Sequence, residues 1–153
     1  MGSGSTKERE LIHLLGDEGW AAMRAPASGS ATERELPDIL AGRPCEAAEI
    51  ASLHVYGQRG GRPVSSTLAI EAKYRSSSLA YFDNDEIADL ITFGEHFGAI
   101  PLIASRWHGR KQGTTEWFFQ TAESVPQTRT KAKLDFEEVK ENWHRIEWLQ
   151  TLY

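Results

Sequence analysis

Cysteine is almost absent. Cys45 is the only one in 153 residues, so no disulfide can close within the chain and no cysteine cage can hold zinc. Cys45 lies in an irregular stretch with no evident base partner, which speaks against a cysteine nucleophile. No apolar run reaches the roughly 18 residues of a membrane-spanning helix. The polar start from Met1 to Thr6 does not read as a signal peptide, so a cytoplasmic protein that meets no membrane is expected. No internal repeat is visible. Positive charge is also scarce: 17 Lys and Arg face 22 Asp and Glu, a net −5, which argues against a strongly basic nucleic-acid binder. Any nucleic-acid contact would need a local basic patch, or a protein that works in high salt.

What is present describes an ordinary globular chain. Hydrophobic residues make up 40% and charged residues 25%, which suits one core of a soluble α/β protein. Ser5-Thr6-Lys7-Glu8 has the spacing of a capping box, and Leu11, Ile12, Leu14 and Leu15 follow at helical intervals. A helix is expected from Thr6 to Glu18, stopped by Gly19. Glu8 has two readings: a cap that suits the helix dipole, or an acid aimed into a site at the helix entry. Trp20 to Arg24 reads as a short strand ending in a cation. Ala25 to Ser30 is a loop of breakers and small residues, either a surface turn or a close approach to a phosphate.

The stretch from Pro37 to Lys73 organises the rest. Pro37 to Ala41 reads as a short strand, apolar apart from Asp38, and Gly42 to Glu49 as irregular. Ile50 to Tyr56 and Val64 to Tyr74 read as a hairpin whose turn carries Arg59 and Arg62. The period of two puts Ala69, Glu71 and Lys73 on one face, and Leu68, Ile70 and Ala72 on the other, toward a core. Two charges at a strand end are either a solvated edge or part of a site. Arg75 to Leu79 is a Ser-rich loop. Asp83 to Phe97 is a helix with an acidic first turn and a stripe of Ile87, Leu90, Ile91 and Phe97, ended by Gly98. Strands from Pro101 to Ala104 and from Trp117 to Phe119 enclose a turn with Arg106, His108, Arg110 and Lys111. That turn is either a phosphate contact or a solvated tip. Thr121 to Lys133 is polar with a basic run at Arg129, Lys131 and Lys133. Asp135 to Leu152 is an amphipathic helix that packs on the sheet or builds an interface. A core domain over residues 1–120 and a tail over 121–153 are expected.

Asp38, Glu71 and Lys73 are the residue types that phosphodiester hydrolysis needs. Magnesium takes hard oxygen ligands, usually only one or two carboxylates, with water and phosphate completing the octahedron. Asp38 and Glu71 supply those carboxylates, and the carbonyl of Ala72 is a further candidate ligand. Glu8 reaches the metal through a water in this reading. Manganese is the expected substitute. Lys73 would orient the attacking water or stabilise the crowded phosphorus of the transition state.

Five words occur in order along the chain: Lys7-Glu8-Arg9-Glu10-Leu11; Gly19 to Ser30, with its Arg-Ala-Pro-Ala-Ser-Gly-Ser run; Leu36-Pro37-Asp38-Ile39-Leu40-Ala41; Ile70-Glu71-Ala72-Lys73; and Phe97 to Ala104. With them the chain resembles the archaeal Holliday junction resolvases (Hjc), of the restriction-endonuclease-like PD-(D/E)xK superfamily. The resemblance implies a central mixed β-sheet flanked by helices, and a magnesium-dependent endodeoxyribonuclease. It implies that Glu8, Asp38, Glu71 and Lys73 are catalytic, with Ser28 on a mobile loop that shapes the site. It implies that Arg9 and Arg24 contact the DNA backbone, with Ser30 alongside. It also implies a homodimer whose two sites nick opposing strands of a four-way junction. The stretch from Gly42 to Thr67 is longer than the family's hairpin, so Arg59 and Arg62 are expected to make DNA contacts peculiar to this chain. Other readings are a restriction-type or repair nuclease, a catalytically silent DNA-binding module, and a small interaction protein. Four intact active-site positions argue against the silent module.

Overall fold

A computed structural model describes residues 3–26, 36–44, 65–76, 79–107 and 116–152. The elements run α1 (Ser3–Asp17), β1 (Ala21–Arg24), β2 (Ile39–Pro44), β3 (Ser65–Arg75), β4 (Leu79–Asp83), α2 (Asn84–Phe97), β5 (Ile100–Trp107), β6 (Phe118–Thr121), β7 (Lys131–Asp135) and α3 (Phe136–Asn142). A 3-10 turn spans Ala122–Ser124 and another Ile146–Thr151. No helix among the described residues is long and apolar enough to cross a membrane.

Five strands form the central sheet in the order β1-β2-β3-β5-β6. All neighbours are antiparallel except β3 and β5, so the sheet is mixed, as expected. β3 is the middle strand. Its alternation sorts the core onto two faces. Leu68 and Ile70 join Leu11 and Leu15 of α1 on one face, and Ala69 joins Ile87 and Leu90 of α2 on the other. β5 repeats the pattern, with Leu102 and Ala104 on the α1 side and Ile103 and Trp107 on the α2 side.

α2 is delimited by its caps. Glu86 reaches back to accept the backbone N–H of Asp83 at 2.9 Å. Gly98 ends the helix in the left-handed region at φ 83°. A β-carbon at Gly98 would meet no described atom within 4 Å, so Gly98→Ala costs backbone strain alone. We expect a loss of about 1 kcal/mol, read as a fall of roughly 2–4 °C in Tm. Gly94 is different: a β-carbon there would lie 2.7 Å from the carbonyl of Ala99. The missing side chain lets α2 fold directly back into β5.

Several expectations are corrected. α1 begins at Ser3, so Glu8 sits inside the helix rather than at the third position of a cap. The segment after Ala41 is not irregular at first, because β2 continues to Pro44. β3 pairs with β2 from Ile39 to Pro44, and the expected strand Ile50–Tyr56 lies outside the described residues. Phe97 is 55% exposed and stacks on Phe93 instead of joining the buried stripe.

The polar stretch before Asp135 holds a strand, β7, which pairs with the unanticipated strand β4 in a separate two-stranded ribbon. The expected single helix over Asp135–Leu152 is broken. α3 ends at Asn142, and His144 exchanges backbone hydrogen bonds with Phe119 of β6 at 2.7 and 3.0 Å. The break distributes the apolar stripe. Phe136 and Val139 pack on the α2 side, and Leu149 packs on the α1 side.

Candidate active site

The β2–β3 register builds the site. Ile39 faces Ile70 and Leu40 faces Ala69. One step beyond the ladder, Asp38 comes opposite Glu71. Both then project on the same side as Leu40 and Ala69. Asp38 is locked there by the chain itself: its Oδ2 accepts the backbone N–H of Ala72 at 2.8 Å. In an extended strand a residue's N–H and C=O point the same way, so the Ala72 carbonyl also faces Asp38. Two carboxylates and a carbonyl converge because β2 begins one residue after Asp38 and leaves its side chain free to turn toward β3.

The two acids strain one another electrostatically. Burial pushes the Glu71 carboxyl up to about 9, and the Asp38 charge and a hydrogen bond between the two side chains add to that. Burial raises Asp38 as well, opposed by the Ala72 N–H, by its bond to Glu71, and by the Lys73 and Arg24 charges. Glu8 is also raised, first by burial and then by Asp38, while Arg24 pulls it back. The Asp38 charge thus raises both Glu8 and Glu71, and Glu71 keeps its proton at neutral pH.

The basic partners are fixed around them. Lys73 lies 3.6 Å from Glu86 Oε1 and 4.6 Å from the centre of the Phe82 ring. Glu86 therefore has two tasks, capping α2 and holding the lysine. The Arg24 Nε meets Glu8 Oε2 at 2.7 Å, which ties the end of β1 to α1. The Glu8 carboxylate is thus paired across elements from within the helix, not at a helix cap.

A cleft of about 330 Å³ opens over these groups, lined by Glu8, Asp38, Glu71, Ala72 and Lys73. Of the expected site residues, the fold brings these five together, with Arg24 bound to Glu8. Arg9 is exposed on α1. Ser28, Ser30, Arg59 and Arg62 lie outside the described residues, as do His108, Arg110 and Lys111. Arg106 is corrected: it stands on β5, 7% exposed, bonded to Glu10 at 2.7 Å, and belongs to no solvated tip. Sequence reasoning missed Lys7, Tyr74, Arg75 and Trp117, which also line the cleft. The signal for Tyr74 and Arg75 was the continuation of β3 past Lys73. Lys7 and Trp117 carried none.

The donor set fits magnesium. Among the described residues no group of three or more His, Cys, Asp or Glu could by itself hold a metal ion. Two carboxylates beside a backbone carbonyl match an ion that keeps most of its waters and borrows oxygens from a phosphate. Their mutual repulsion is what such a cation would relieve.

The family model described as archaeal Holliday junction resolvase (hjc) matches residues 2–52 and 59–145. The crossover junction endodeoxyribonuclease Hjc of Archaeoglobus fulgidus is 30% identical over 132 residues, 86% of this chain and 78% of that protein. The protein of the same name from Methanocaldococcus jannaschii is 31% identical over 106 residues, 69% of this chain and 60% of the relative. The solved structure of Archaeoglobus fulgidus Hjc, a Holliday junction resolvase from an archaeal hyperthermophile, superposes with a TM-score of 0.68 at 28% identity. It covers 93% of this chain and 95% of its own.

Proposed function

The chain belongs to the archaeal Holliday junction resolvase (Hjc) family, and from that premise we propose that it resolves four-way DNA junctions by paired, magnesium-dependent nicks. The observation that carries the reading is the convergence of Asp38, Glu71 and Lys73 in one cleft, with Asp38 bound to the Ala72 N–H at 2.8 Å. Asp38, Glu71 and the Ala72 carbonyl would hold the metal, and Glu8 would reach it through a water. Magnesium bound there supplies an activated water and offsets charge building on the phosphate, and manganese substitutes for it.

The chain's own groups do the rest. The Lys73 ammonium, steadied by Glu86, faces the non-bridging phosphate oxygens and is stabilising where negative charge grows. Glu71 would hold the cation as a carboxylate, its proton passing to bulk water. Arg24 turns from Glu8 to a backbone phosphate, and Arg9 on the exposed side of α1 takes another. Ser28 and Ser30 would help shape the site, and Arg59 and Arg62 would add DNA contacts. A two-fold homodimer offers two such sites to a nearly two-fold junction, so symmetric paired cuts follow. Recognition is of branched shape through phosphates and works in the cytoplasm on recombination intermediates.

The test compares a four-way junction with a linear duplex of the same sequence, in magnesium, across a salt series. Cleavage of the junction with the duplex left intact is the expected result. Equal cutting of both would favour a restriction-type or repair nuclease. Activity should decline as salt rises if phosphate contacts dominate. An optimum at high salt would instead explain the net −5 as salt adaptation.

A further inference from the structure

We infer that Lys7 forms a second phosphate-binding position on the rim of the catalytic cleft, taking a backbone phosphate beside the one that is cut. The inference rests on the nuclease reading above. Lys7 lines the cleft together with Tyr74. Its Nζ lies 2.9 Å from Glu10 Oε2 and 5.1 Å from the centre of the Tyr74 ring. The same oxygen of Glu10 accepts from Arg106 at 2.7 Å, and the Arg106 guanidinium stands 5.7 Å from the same ring. Two cations therefore share one carboxylate and one aromatic ring, and the cluster keeps a net positive charge.

The two claims on Glu10 are unequal. The Arg106 side chain is 7% exposed, always charged, and its buried Nε has no hydrogen-bond partner among the described residues. Parting it from Glu10 would leave an unpaired buried charge. The Lys7 side chain is 23% exposed, and its bond to Glu10 is a pair three residues apart on one helix. Such surface pairs contribute little and exchange with water. Glu10 thus belongs to Arg106, and Lys7 is the surplus cation.

Its place makes the surplus useful. The cleft lining sets Glu8, Asp38 and Glu71 against Lys7, Lys73 and Arg75, and Lys73 is already engaged with Glu86. A polyanion approaching three carboxylates needs a cation at the rim. Lys7 can turn from Glu10 to a phosphate without uncovering a buried charge. The Tyr74 ring under its stem limits the directions it can take.

The test is binding of a four-way junction in magnesium-free buffer across a salt series, followed by fluorescence anisotropy. Lys7→Met should weaken binding roughly ten-fold at low salt, the loss of one charge-assisted contact. It should also make the slope of log affinity against log salt shallower by about one. Lys7→Arg should restore both. Lys140→Met, at an exposed lysine of α3, should change neither. Unchanged affinity and slope in Lys7→Met would overturn the proposal. The same preparations, given magnesium, report separately on the enzyme. A wild type that binds with these dependences yet never cuts would overturn the nuclease reading while the Lys7 contact stands.

Discussion

Asp38→Asn is expected to lower junction cleavage by roughly a thousand-fold or more while leaving junction binding within about three-fold of wild type. The substitution separates two properties of the side chain. Asparagine has the same shape, and its oxygen can still accept the Ala72 N–H that fixes the end of β2. The β2–β3 ladder begins at Ile39 and does not depend on the charge. The fold should therefore be kept. What is lost is the negative charge beside Glu71, and with it one of the two carboxylates placed for a hard cation. Phosphate contacts elsewhere are untouched, and removing an acid from the cleft slightly favours an approaching polyanion. Single-turnover cleavage and anisotropy, measured on one preparation, check both halves. Retained cleavage would remove Asp38 from the site. Lost binding would mean that the substitution had disturbed the local structure rather than the chemistry.

Much of this site could be read before any coordinates, for a physical reason. The face-sharing of Glu71 and Lys73 follows from the pleat of one strand, whereas the pairing of Ile70 with Ile39, which brings Asp38 to them, shows only in the structure. α2 was equally plain, since a first turn with Asp85 and Glu86 and a closing Gly98 mark both ends. The misreadings share one cause: a distant partner overrode a local pattern. Arg106 looked like a turn cation because its neighbours are polar, and only Glu10, 96 residues away, explains its burial. The stripe from Phe136 to Leu152 is continuous on a helical wheel. The backbone of His144 nonetheless pairs with Phe119, and a bridge of that kind cannot form from an unbroken helix. The stretch with Arg129, Lys131 and Lys133 reads as polar, without a strand. Alternating with the lysines, Ala132 and Leu134 are buried, so Lys131 and Lys133 lie on one face of a strand, with Arg129 before it. β2 and β3 pair although residues 45–64 separate them, a long closure that no local pattern announces.

Magnesium should stabilise the protein more as the pH rises, and Glu71→Gln should remove most of that dependence. The Glu71 carboxyl is raised to about 9 in the metal-free fold, chiefly by burial and then by Asp38. An unfolded glutamate releases its proton near pH 4.3. Between those values the folded state binds more protons than the unfolded one, so the slope of unfolding free energy with pH is negative. The contribution of this group is complete below the unfolded value and is lost as the pH climbs through the folded one. The slope can reach about 1.4 kcal/mol per pH unit, roughly 3–5 °C in Tm for a chain of this size. Magnesium competes with that proton, so its affinity rises with pH, and the ligand term adds stability where the proton term fades. Thermal unfolding at pH 5, 7 and 9, with and without magnesium, reads both effects. In Glu71→Gln the amide stands in for the protonated acid and can still donate to Asp38. That variant should therefore exceed metal-free wild type in Tm at pH 9, match it near pH 5, and respond weakly to magnesium throughout. A wild-type Tm that rises with pH relative to Glu71→Gln in the absence of metal would contradict the crowding of Asp38 and Glu71, and with it the reason this pair attracts a cation.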